Sequence, residues 1–168
     1  METERLIVRQ MRVEDAAFML ELLNGAAWLR HIGDRGVKTL DDAQGYIRNG
    51  PLQMYARLGF GSYVVESKDT GAAIGTCGLL KRDFLDDVDI GYALLPQHCG
   101  RGYASEAASA LLCYARDVVG KSRVLATVRA ANVDSVRVLE KLGLRFERAM
   151  MHPDGDREIQ VYAIDFTQ

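Results

Sequence analysis

The stretch Leu94-Leu95-Pro96-Gln97-His98-Cys99-Gly100-Arg101-Gly102-Tyr103-Ala104 is where residue types and spacing in this chain come nearest to chemistry. A strand-like run is stopped by proline, two closely spaced glycines follow, and a helical pattern opens directly after them. A turn of this kind leaves the first backbone N–H groups of the helix free, with the helix dipole behind them, and glycine lets a ligand approach the main chain. The chemistry on offer is the binding of a phosphate or pyrophosphate. The same two glycines serve equally well in a tight turn and nothing more.

Two other phosphate motifs do not fit. A dinucleotide fingerprint needs a third small residue in register and an acid about 20 residues further on, inside a βαβ unit. Ser105 and Asp117 match that pattern badly. Ala115-Arg116-Asp117-Val118-Val119-Gly120-Lys121-Ser122 approaches a phosphate-binding loop with Ala in place of the first Gly. That loop must follow a strand and open a helix, whereas this segment closes a helix and precedes a strand. Cys99 beside His98 offers a thiol and a base, but neighbours on a turn rarely meet as a nucleophile–base pair. His31 and His152 show no metal spacing with each other or with a carboxylate, and no metal is expected.

The elements that must position the turn are legible from periodicity. Arg5 to Arg9 reads as a strand, and Glu14 to Asn24 carries apolar residues at Ala16, Met19, Leu20 and Leu23, which is helix spacing, with Gly25 as the stop. A loop is expected from Ala26 to Lys38. Thr39 with Asp42 predicts a capping box opening a helix that ends at Asn49-Gly50-Pro51, and Leu52 to Leu58 suits a further short helix. Tyr63 to Glu66 and Ala73 to Cys77 alternate as strands around the turn Asp69-Thr70-Gly71, and Val88 to Leu95 is another strand. Behind the glycines, residues 104, 107, 108, 111, 112, 115, 118 and 119 form an apolar stripe on one helical face. Val124 to Val128 is a strand, Asn132 caps a helix ending Lys141-Leu142-Gly143, and Phe146 to Met151 with Ile159 to Phe166 closes as a hairpin around Pro153-Asp154-Gly155. The order β-α-α-β-β-β-α-β-α-β-β predicts one mixed α/β domain over residues 1–168.

Length and composition exclude much else. The 168 residues are one domain's worth, with 48% apolar and 26% charged residues, as in globular proteins. Lys and Arg number 21 against 23 Asp and Glu, a net charge of −2, which gives no footprint for nucleic acid or an anionic membrane. Cys77, Cys99 and Cys113 are too scattered for a disulfide framework. The charged start Met1-Glu2-Thr3-Glu4-Arg5 has no apolar run behind it, and no apolar run approaches the roughly 18 residues of a membrane span, so a cytoplasmic protein is expected.

Gly100-Arg101-Gly102-Tyr103-Ala104-Ser105-Glu106-Ala107 follows Asp89-Ile90-Gly91-Tyr92-Ala93-Leu94 and precedes Asn132-x-x-Ser135 and Leu139-Glu140-Lys141-Leu142-Gly143. This set resembles the GCN5-related N-acetyltransferases over nearly the whole chain, and is most similar to their branch of ribosomal-protein N-terminal acetyltransferases. Cys99 stands where the family's turn usually begins with Gln or Arg, and Gln97 is out of register with that place.

The resemblance implies a splayed mixed β-sheet flanked by helices, and acetyl transfer from acetyl-CoA to an amine. That reaction needs a neutral amine, an aligned thioester, a donor for the developing oxyanion and a proton for the leaving thiolate. It implies that Gly100, Arg101, Gly102, Tyr103 and Ala104 hold the pyrophosphate. It further implies that Tyr92 and Leu94 meet the pantetheine through their main chain, the Leu94 N–H facing the oxyanion. Asn132 is implied as a pantetheine contact in addition to capping its helix. Asp89 is the implied base, with Glu66 and Glu158 as lesser candidates. Strand alternation puts Asp87, Asp89 and Gly91 on one face, and the run Asp86-Asp87-x-Asp89 also suits a plain surface cluster. Many family members carry a Tyr acid where this chain has Leu139, and by analogy with the ribosomal branch the acid role passes to Ser135. Trp28 and Arg35, with His31 and Asp34 beside them, fall in the segment that shapes the acceptor pocket.

The acceptor stays open at this point between a protein N-terminus and small amines such as polyamines, amino acids or antibiotics. A non-catalytic acyl-CoA-binding module and an interaction protein whose glycines only make turns are the rival classes. Neither nucleic acid nor a membrane is an expected partner. Dimers are common among such folds, so a homodimer is compatible with a sequence that carries no oligomer signal of its own.

Overall fold

Seven segments alternate, and in the computed structural model, which describes residues 1–166, all seven are strands of one sheet. They are β1 (Leu6–Gln10), β2 (Ser62–Ser67), β3 (Ala73–Leu80), β4 (Asp89–Leu94), β5 (Arg123–Val128), β6 (Arg145–Met151) and β7 (Glu158–Asp165). Their spatial order is β1-β2-β3-β4-β5-β7-β6. Every neighbouring pair is antiparallel except β4 and β5, which run parallel and meet in register only at Asp89 and Leu125. Beyond that point the two strands part, so the expected splay is present.

Six helices cover the sheet: α1 (Ala16–Leu23), α2 (Ala26–His31), α3 (Leu40–Asn49), α4 (Pro51–Leu58), α5 (Tyr103–Asp117) and α6 (Val133–Lys141). The Thr39–Asp42 capping box opens α3 as expected, each side chain bonding the other residue's backbone N–H. Asn132 caps α6 by accepting from the Ser135 N–H at 3.3 Å. On one side of the sheet α5 buries Ala108, Leu111 and Ala115 against Val65, Ile74 and Val124. On the other, α1 and α3 bury Met19, Leu23 and Ile47 against Val64 and Leu95. No helix among the described residues is long and apolar enough to cross a membrane.

Three expectations need correction. The first half of the loop expected from Ala26 to Lys38 is the helix α2. Six residues are too few to display a helical period and are marginal as a helix on their own; the packing of Trp28 against the α1–α3 core supports this turn and a half. The apolar stripe of α5 was expected to run through residues 118 and 119, but the helix ends at Asp117, Val118 is 68% exposed, and Gly120 follows with φ +73°. Strand alternation does not extend back to Asp87, which precedes β4 and sits 3.8 Å from Arg123.

Candidate active site

The divergence of β4 from β5 is the origin of the site. The Leu95 N–H bonds the Ile74 carbonyl on β3, and the Val88 carbonyl accepts from Leu125 on β5. Alternation between these fixed points turns the backbone groups of Tyr92 and Leu94 toward the β5 side. With β5 gone from that edge, they face open space. The opening widens into a cleft of about 910 Å³ lined by β4, the glycine turn, α2 and the starts of α5 and α6.

At the mouth of the cleft the glycine turn has the geometry an anion needs. Gly100 and Gly102 adopt φ +74° and +81°, a conformation L side chains rarely hold, and a Cβ on Gly100 would meet nothing within 4 Å. Gly102 is the N-cap of α5 and no side chain caps the helix, so its first amides are free. Tyr103, Ala104 and Ser105 line the cleft together with both glycines. Arg101 is in the turn but not in the cleft wall; its carbonyl accepts from Arg5 Nη1 at 2.9 Å. Arg5 also bonds Glu106 at 2.7 Å and lies 4.5 Å from the centre of the Tyr103 ring. Nothing in the sequence pointed to this brace, because Arg5 and Glu106 lie 101 positions apart.

Across the split, the Tyr92 hydroxyl is 3.1 Å from Ser135 Oγ and 3.1 Å from the Ser135 carbonyl, which accepts from it. Burial pushes the Tyr92 phenol up to about 12, with the Ser135 hydrogen bond opposing. Leu139, which stands where many family members carry a Tyr, is 1% exposed and also faces the cleft. Asn132 lines the same wall while capping α6.

On the opposite face of β4 stands Asp89. It is 1% exposed, so the surface-cluster alternative does not hold. Arg82 Nε contacts its two carboxylate oxygens at 3.1 and 3.0 Å. Burial nevertheless outweighs the guanidinium, and the Asp89 carboxyl is pushed up to about 6. Arg82 was not singled out from sequence; a charged residue in a turn has no signature until its partner is known. Trp28, His31 and Arg35 line the cleft, with Trp28 Nε1 buried and lacking a hydrogen-bond acceptor among the described residues.

Other candidates are elsewhere. Glu66 pairs with Arg9 at 2.6 Å and Asp34 with Lys38 at 3.2 Å, and neither lines the cleft. Glu158 is exposed at the start of β7, outside the cleft wall. Cys99 is exposed at the cleft's edge, its thiol 3.6 Å from the Leu95 carbonyl, and all three cysteines are free. His152 departs from the expectation of no metal-like spacing. The β6–β7 turn brings its ring, Asp154 and Asp156 within 4.8 Å of one another, both carboxylates being exposed.

Known proteins share the fold. Residues 5–145 match a family described as an acetyltransferase (GNAT) domain. An uncharacterized N-acetyltransferase of Bacillus subtilis, YoaA, is 30% identical over 98% of this chain and 95% of its own length. The crystal structure of a GNAT-family acetyltransferase from Bacillus anthracis superposes with a TM-score of 0.81 at 25% identity, covering 98% of this chain and 96% of that one. RimL, a ribosomal L7/L12 α-N-protein acetyltransferase in complex with coenzyme A, shares the fold at a TM-score of 0.83 and 20% identity, covering 98% and 96% of the two chains.

Proposed function

The chain belongs to the acetyltransferase (GNAT) family and is an acetyl-CoA-dependent N-acetyltransferase, and from that premise we propose that it passes the acetyl group to a primary amine by direct attack in a ternary complex, with a protein N-terminus as the first acceptor class to test. The observation that carries this reading is the split. A strand edge whose Tyr92 and Leu94 amides have lost their β-partner suits a pantetheine arm, and the uncapped α5 amides beyond it suit the pyrophosphate.

In this mechanism Gly100, Gly102, Tyr103 and Ala104 hold the pyrophosphate by backbone, with Arg101 shaping the turn. Asn132 meets the pantetheine from α6. The amine, presented beside Trp28 and Arg35, attacks the thioester carbonyl; a C–N bond forms and the C–S bond breaks. The Leu94 N–H donates to the oxyanion that develops between these events. Asp89 takes the proton lost by the amine. Asp89 and Leu94 are roughly 16 Å apart along an extended strand, so that proton travels through water. Ser135, bonded to Tyr92, gives a proton to the departing thiolate.

Calorimetry with acetyl-CoA, desulfo-CoA and ATP tests the premise for the turn. Micromolar binding of the two CoA compounds without ATP binding is expected, followed by thiol release on addition of amines. Absence of CoA binding overturns the proposal.

A further inference from the structure

Along β4 the glycine turn follows the strand's end, whereas Asp89 opens it, and the cleft at that opening is ringed by cations. Arg82 reaches both oxygens of Asp89 with Nε alone. Its Nη1 and Nη2, the planar pair that fits a second carboxylate, have no acceptor among the described residues. The grip on a buried partner fixes where that fork points. Arg35 lines the same region and meets no carboxylate among the described residues. Arg157, from the β6–β7 turn, bonds the exposed Asp156 at 2.8 Å and donates to the Ile32 carbonyl at 3.4 Å, which brings it against the end of α2.

Two neighbours register the resulting field. The His152 imidazole is pushed down by burial and by Arg157 and Arg82, despite Asp154 and Asp156 on its other side. Burial pushes the Tyr46 phenol up while Arg35 and Arg82 pull it down. Against these cations the cleft sets Asp89, already matched by Arg82, Glu21 on α1, and Asp134 at the start of α6.

We propose that the acceptor amine is carried by a molecule that also bears a carboxylate, and that Arg82, Arg35 and Arg157 form the subsite for that carboxylate. The inference rests on the acetyl-transfer reading above and narrows its acceptor. An acidic side chain near the N-terminus of a peptide supplies a carboxylate at the needed distance from the amine. The α-carboxylate of a free amino acid, one carbon from its amine, falls short, because Arg82 holds Asp89 roughly 16 Å along β4 from the Leu94 N–H. A polyamine has no carboxylate for the free fork of Arg82 and would set its own cations against Arg35, which meets no carboxylate among the described residues.

The test measures kcat/KM by thiol release on matched acceptors. These are amino acids against their α-amides, peptides with Asp or Glu in second place against the same peptides with Asn or Gln, and spermidine. At least a tenfold preference for the Asp and Glu peptides over their Asn and Gln partners is expected, with amino acids and their α-amides turned over alike. Arg35→Gln and Arg157→Gln, which leave the Arg82–Asp89 pair intact, should shrink that preference severalfold while leaving calorimetric acetyl-CoA affinity unchanged. Equal or better turnover of the Asn and Gln peptides or of spermidine overturns the carboxylate subsite alone, as does a preference indifferent to both substitutions. Acetyl-CoA binding without acetylation of any acceptor counts against the transfer reading itself, and the subsite falls with it.

Discussion

The Tyr92 hydroxyl and Ser135 Oγ stand 3.1 Å apart, one from β4 and the other from α6, and so span the gap that the divergence of β4 and β5 opens. A serine alone is a weak acid; a serine in contact with a phenol belongs to a two-member chain able to pass a proton to a thiolate. Ser135→Ala should lower kcat by about 100-fold or more while leaving acetyl-CoA affinity close to the parent value. Tyr92→Phe should act in the same direction, and the double variant should be little worse than the poorer single one, as for groups that work as a unit. Additive losses in steady-state kinetics would separate the two roles.

Asp89 gives a prediction in pH. With its carboxyl pushed up to about 6, the base is ionised only above that value, so kcat/KM should fall as pH drops through 6. Asp89→Asn should depress activity and remove this limb.

The same shift has a consequence for stability, with the opposite sign from an ordinary salt-bridged carboxylate. The folded-state value lies above the unfolded one, so the folded protein holds the proton more tightly. The stabilisation is full below pH 4 and is lost as pH rises through 6. Urea melts at pH 5 and pH 7.5 should therefore show Asp89→Asn gaining on the parent protein as the pH is raised.

Gly102→Ala should separate binding from chemistry. The φ of +81° costs a residue with a Cβ roughly 1–2 kcal/mol, and relaxation of the turn displaces the α5 amides. Acetyl-CoA affinity should weaken by about tenfold, as 1.4 kcal/mol corresponds to that factor, and the melting temperature should fall by about 2–4 °C for each kcal/mol of strain. Arg5→Ala, which removes the brace from outside the cleft, should weaken affinity less.

Trp28 is the only tryptophan in the sequence and lines the cleft with a buried indole N–H that has no acceptor among the described residues. Its emission should shift when acceptor or acetyl-CoA fills the cleft, and titration of the intrinsic fluorescence should return the calorimetric affinity. An unchanged spectrum at saturation would place Trp28 outside the bound contacts.

Periodicity and punctuation sufficed for the seven strands, the capped helices α3 and α6 and the glycine turn, because each depends on residues only a few positions apart. Thr39 finds Asp42, Asn132 finds the Ser135 N–H, and Gly100 and Gly102 take a backbone conformation closed to most other residues. What the sequence could not determine are relationships between distant positions. Arg5 and Glu106, Tyr92 and Ser135, and Arg157 and Ile32 meet only because the strand order β4-β5-β7-β6 and the helices across it bring their elements together. Asp89 shows the difference most plainly. Its sequence neighbourhood of aspartates reads as solvated surface, yet the sheet buries it and gives it Arg82 for a partner. Its protonation and the charge at that end of the cleft therefore follow from tertiary burial, a property no local pattern of residues carries.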